Sequence, residues 1–160
     1  MKLYEILDTK IDIEYESNSN TFKAKATIDN NVYICVCDFA PLSEIDSNFI
    51  EFSHQKHLPD ELKNLEQHIK HVWEISFYVL DHYGYHQHDL TNSNIPLKVF
   101  SFVKQSLIKF SKKFNQNYIL FTSDLKSRKN VYSKLISKSI KIKNKYEFNN
   151  GHIDMIIMEI

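Results

Sequence analysis

Apolar and polar residues alternate with two different periods along this chain, and each change of period marks an element. Residues 11–16 (Ile-Asp-Ile-Glu-Tyr-Glu) alternate apolar with acidic, the two-residue period of a half-buried strand. The polar cluster at 17–20 predicts a turn, and the run from Phe22 to Ile28 resumes the alternation. Asp29, Asn30 and Asn31 are a tight-turn signal, after which Val32 to Cys37 predicts a third strand. Together these runs predict an antiparallel meander over residues 11–39. Residues 40–71 are polar and bear histidines. Pro59, Asp60, Glu61 and Leu62 predict a short helix start there, and Phe49, Phe52, Leu58 and Leu62 are the side chains able to pin the segment to a core.

The second half changes period. Trp73 to Leu80 predicts a strand and Asp81 to about Ile95 a loop, after which Pro96 opens a helix with Asn94 or Ser93 near its cap. Val99, Val103, Leu107, Phe110 and Phe114 recur at three- and four-residue steps, so the helix runs to about Phe114 and ends at Asn115, Gln116 and Asn117. Tyr118 to Thr122 predicts a short buried strand. Val131, Leu135, Ile136 and Ile140 predict a second helix at about 127–141, and strands at 146–148 and 153–160 close the chain around Asn149, Asn150 and Gly151. The order over 72–160 is therefore β-α-β-α-β-β.

A chain of 160 residues is one domain's worth, 1–160, with enough length for one substantial core. Its 42% apolar and 13% aromatic content exclude a wholly disordered polymer. No run has the apolar length of a membrane span, and Met1 to Glu5 has no signal-peptide core, so the expected location is cytoplasmic, without membrane partners. Cys35 and Cys37 lie two apart on an apolar strand and share a face, as small buried hydrophobes rather than a disulfide or metal pair. Lys, Asn, Ile and Ser are abundant, the usage of an AT-rich coding sequence as in many bacteria and their phages. With only Gly84 and Gly151 present, a glycine-rich phosphate cradle is excluded.

Charge changes the picture most. The neutral total hides a split: residues 1–90 carry 7 Lys and 16 acids, a net of −9, and residues 91–160 carry 13 bases and 4 acids, a net of +9. Within 98–145 only Asp124 opposes thirteen bases. Such asymmetry points to a polyanionic ligand or to mutual attraction of the two halves, against the plainer reading of a solvated lysine face. Lys104, Lys109, Lys112, Lys113, Arg128 and Lys129 are candidates for phosphate or nucleic-acid contact. One Arg among so many Lys argues against base-specific readout, which favours the guanidinium fork.

The strand at 73–80 leading into the 96–114 helix resembles the GNAT acyltransferase fold, best over residues 70–160. The runs Pro96-Leu-Lys-Val-Phe-Ser-Phe-Val103, Tyr118-Ile-Leu-Phe-Thr-Ser123 and Arg128-Lys-Asn-Val-Tyr-Ser-Lys-Leu135 are similar to a group of phage-encoded GNAT-like proteins. The resemblance implies a single α+β domain, a central mixed sheet flanked by helices. It also implies an acetyl-CoA cleft, to which Val79, Leu80, Asn94 and Lys98 would contribute, with Tyr132 matching a family tyrosine that serves as general acid. Glu74 on the central strand is the candidate base. The chain departs from the family where cofactor binds: residues 92–98 (Asn-Ser-Asn-Ile-Pro-Leu-Lys) hold no glycine, and Pro96 removes one N–H donor from the helix start. That departure argues against ordinary coenzyme binding, so no cofactor is expected, with acetyl-CoA the alternative.

His82, His86, His88 and Asp89 form the best metal-like cluster, three nitrogens and an oxygen that would suit zinc. The alternative is a tyrosine- and histidine-rich contact loop, since Tyr83 and Tyr85 lie within it. His54, His57, His68 and His71 follow no metalloprotease spacing and read as surface residues. The function expected is that of a non-catalytic binding or assembly component, cytoplasmic in an infected host or virion-associated, with a protein partner or self-association. A divergent acetyl-CoA-dependent N-acyltransferase and non-specific nucleic-acid binding through 98–145 are the alternatives.

Overall fold

The computed structural model of this chain describes residues 11–41, 71–87, 97–123, 140–149 and 154–160. Seven strands and one helix lie there: β1 (Glu14–Glu16), β2 (Thr21–Ile28), β3 (Asn31–Pro41), β4 (Val72–Leu80), α1 (Leu97–Phe114), β5 (Tyr118–Ser123), β6 (Asn144–Asn149) and β7 (Asp154–Glu159). The strands hydrogen-bond in the order β1-β2-β3-β4-β5-β7-β6 as one mixed sheet. This corrects the expected fold class. The architecture is a seven-stranded sheet with a single described helix, not an α+β domain whose sheet is flanked by helices. Element order along the chain is compatible with many layerings, and strand pairing between distant segments decides among them. The short helix start at 59–62, the second helix at 127–141 and the helix cap at Asn94 or Ser93 lie outside the described residues.

The chain divides into two compact units, one from Met1–Phe39 and Ser76–Lys113, the other from Ala40–Ile75 and Phe114–Ile160. In the first, β1, β2 and β3 are antiparallel, with Phe22 opposite Cys37 and Thr21 opposite Asp38. Asp29 and Asn30 make a two-residue turn with φ of 49° and 65°, the left-handed pair that suits a tight hairpin and that Asp and Asn tolerate. The helix α1 packs the strand face that carries Phe22, Cys37 and Phe39. Phe39 stacks on Phe110 at 4.0 Å between ring centroids and 5° between planes, and Phe22 meets Phe39 edge-on at 5.5 Å. Val99, Phe102, Val103, Leu107 and Phe110 are all buried on the inner side of α1. Because successive strand residues point to opposite faces, Thr21 and Asp38 lie on the face away from the helix.

In the second unit, Val72–Glu74 of β4 run parallel to Tyr118–Leu120 of β5, while β7 pairs antiparallel with both β5 and β6. Ile119, Leu120 and Phe121 are buried in succession, as are Ile156, Ile157 and Met158. Continuous burial without alternation is the mark of strands enclosed on both faces. Trp73 stacks on Phe114 at 6.2 Å, and Ile160 N–H donates to the Asn117 carbonyl at 2.8 Å. Past α1, Asn115 adopts φ 51°, the left-handed residue that closes many helices.

Candidate functional site

The best-organised exposed feature among the described residues is the loop from Asp81 to Gln87 at the end of β4. Asp81 and Gly84 stand three apart, the spacing of an acid and a glycine at the two ends of a turn. The Asp81 carboxylate oxygen Oδ1 accepts both Tyr83 N–H and Tyr85 N–H at 2.9 Å, and Oδ2 accepts Gln87 Nε2 at 3.2 Å. Gly84 N–H donates to the Asp81 carbonyl at 3.0 Å, Asp81 N–H to the Tyr85 carbonyl at 3.0 Å, and Gln87 N–H to the Val79 carbonyl at 2.8 Å. An antiparallel bridge between Leu80 and His86 closes the loop onto the strand. Gly84 sits at φ +88°, where an added Cβ would meet nothing within 4 Å; its need for glycine is therefore conformational and not steric.

This scaffold holds two tyrosines out in solvent, Tyr83 75% and Tyr85 70% exposed. The His82 ring lies 3.7 Å from the Tyr83 ring, and the His86 ring 4.8 Å from that of Tyr78. Tyr78, on β4, anchors the base of the loop. Burial, then the Asp38 charge, then the hydrogen bond its hydroxyl makes to Asp38, with a smaller effect of Glu16, push its phenol up to about 12. Asp38 also accepts Thr21 Oγ1 at 2.6 Å. Thr21 stands opposite Glu16 and Asp38 in register, so one polar row crosses β1, β2 and β3 to reach Tyr78. Glu16 in turn accepts Lys23 Nζ at 2.7 Å.

The residues expected to carry chemistry are dispersed by comparison. His82 and His86 are both exposed on the loop, but their rings lean on different tyrosines, and His88 and Asp89 lie outside the described residues. Among the described residues no three His, Cys, Asp or Glu side chains converge as a metal site. Glu74 is half-buried in the β4–β5 row opposite Leu120, and Tyr132 lies outside the described residues. Of the side chains assigned to a coenzyme cleft, Val79 is buried, Leu80 is taken up in the bridge to His86, and Lys98 donates to the Thr27 carbonyl at 2.7 Å. Asn94 lies outside the described residues. Cys35 and Cys37 are buried free thiols; burial pushes Cys35 up to about 12 and Cys37 well above the ordinary thiol value, so neither is a nucleophile.

The lysines of α1 behave differently. Lys98, Lys109, Lys112 and Lys113 are exposed and Lys104 is half-buried, while Arg128 and Lys129 lie outside the described residues. Lys113 Nζ rests 4.7 Å above the Tyr15 ring. Asp81, Gln87 and Asp38 were not legible as functional residues. The one available signal was the Asp81-to-Gly84 spacing. No family model, no curated protein and no solved structure matches this chain.

Proposed function

We propose that this protein acts by contact, as a binding or assembly component that engages a protein partner through the Asp81–Gln87 loop. One observation carries the reading. Two neighbouring tyrosines project into solvent from a backbone whose N–H groups are locked by the Asp81 carboxylate. Tyrosine is enriched where proteins meet, because its ring offers a large apolar body and its hydroxyl a polar tip. A ring held in place before binding loses little freedom on docking, and such pre-ordering raises affinity without adding contacts. The His82 and His86 rings widen the same aromatic surface.

The test places a photocross-linking phenylalanine analogue at Tyr83 or Tyr85 of the full chain in its native cells. Both positions are expected to capture one and the same protein, which is a second copy of this chain if the contact is homotypic. Adding Asp81→Ala should abolish the adduct, since the loop then loses the acceptor of two N–H groups. The same probe at Asn18, in an exposed turn, supplies the background. Capture at 83 and 85 no greater than at 18 would overturn the proposal.

A further inference from the structure

The helix α1 carries five lysines and no acid across Leu97–Phe114, and its first turn holds none of the carboxylates common there. At 100° per residue, Lys109 lies about 20° from Lys98 around the helix axis, with Lys112 about 40° to one side and Lys113 about 60° to the other. Four ammonium groups thus share a sector of about 100°, opposite the buried side of Val103, Leu107 and Phe110. Lys109, Lys112 and Lys113 sit one turn apart, the three- and four-residue spacings at which like charges repel. The final helical turn alone would favour Lys112 and Lys113 beside the negative end of the dipole, but Lys109 stands a turn earlier on the same stripe. The row is partly ordered in advance, because Lys98 is tied to the Thr27 carbonyl and Lys113 lies over Tyr15.

We propose that this stripe, centred on Lys109, Lys112 and Lys113, binds the phosphate backbone of nucleic acid without reading its sequence. Lysine is a compact point charge that suits a phosphate from any direction, whereas recognition of carboxylates or base edges draws on the arginine fork, which α1 lacks. Lysine–phosphate contacts release condensed counterions, so affinity falls steeply with salt. This surface is distinct from the tyrosine loop, and the two proposals stand or fall separately.

The test is fluorescence anisotropy of a mixed-sequence 20-base-pair DNA duplex titrated with the full chain between 50 and 200 mM salt. Three phosphate contacts predict a log–log salt slope near −2.7 and a loss of about 40-fold in affinity across that range. Lys109→Gln/Lys112→Gln/Lys113→Gln keeps good helix formers and is expected to flatten the slope. Lys109→Gln/Lys112→Gln, which leaves the Tyr15 contact in place, should lower it by about 1.8. Circular dichroism and melting confirm that each variant folds. Lys141→Gln/Lys143→Gln/Lys145→Gln removes the same charge from exposed positions elsewhere and should leave binding within about twofold of wild type, because the summed charge matters less than its placement. The inference is overturned if the wild type shows no salt-dependent binding at 50 mM, if the control variant loses as much as the α1 variants, or if polyglutamate competes as well as DNA.

Discussion

Asp38 and Tyr78 show what single residues do here. Asp38 is a carboxylate on a strand face, yet it gathers the hydroxyls of Thr21 and Tyr78, so three polar groups satisfy one another where isolated ones would be costly. The phenol is held in its neutral, donating form, with its ionisation raised to about 12 from an ordinary 10.0. The unfolded chain therefore releases this proton first. Stability from this group is complete below pH 10 and is lost as pH rises towards 12, because there the unfolded state holds fewer protons than the folded one. Tyr78→Phe is expected to remove that part of the alkaline loss, visible as a shallower fall of melting temperature between pH 10 and 12 than in the wild type. An equal slope in both proteins would contradict the Asp38–Tyr78 bond. Ser106 is the opposite case. Its buried hydroxyl has no conventional hydrogen-bond partner and faces the Cys37 thiol, a weak one.

At the scale of elements, turns and termini were well marked. The β2–β3 hairpin closes on Asp29 and Asn30, both left-handed, in a two-residue loop from Ile28 to Asn31. Glycine reaches that conformation without steric cost, and Asn-Gly and Asp-Gly are the favoured pairs. Asn30→Gly is thus expected to stabilise by about 0.5 kcal/mol and Asn30→Val to destabilise by about 1–2 kcal/mol, read as midpoints of urea unfolding. Strand and helix positions followed from period. Two-residue alternation marked β1 and β2, and the three- and four-residue steps through Val99, Val103, Leu107 and Phe110 marked α1. The loop after β4 was recognisable as histidine- and tyrosine-rich. Its rigidity was not, since that depends on where one carboxylate, Asp81, points its two oxygens.

For the whole molecule, the decisive question is whether the chain binds through its surface or holds a small molecule within. Acetyl-CoA is the ligand that the sequence resemblance implies, and contact function predicts no response to it. A ligand at a hundred times its dissociation constant stabilises by about 2.7 kcal/mol, or roughly 5–10 °C in a chain of this size. Millimolar acetyl-CoA is accordingly expected to leave the melting temperature unchanged, and a rise of that order would put acyl transfer ahead of contact. No helix among the described residues is long and apolar enough to cross a membrane.

The sequence by itself determined the kind of each described element and most of its limits, because alternation, helical steps and Asp–Asn turns act over a few residues. It also determined the polarity split and the lysine-only character of α1, which need no coordinates. The layering was another matter. Seven strands joining as β1-β2-β3-β4-β5-β7-β6, with β5 paired to both β4 and β7, is a choice among distant partners that no local period encodes, and the expectation of a helix-flanked sheet failed there. Tertiary structure alone joined Thr21, Asp38 and Tyr78, residues tens of positions apart, into one hydrogen-bonded row. It alone turned a histidine-rich string into two exposed tyrosines on a locked loop. Hydrogen bonds of that kind depend on distance and direction in space, which residue spacing along the chain does not carry.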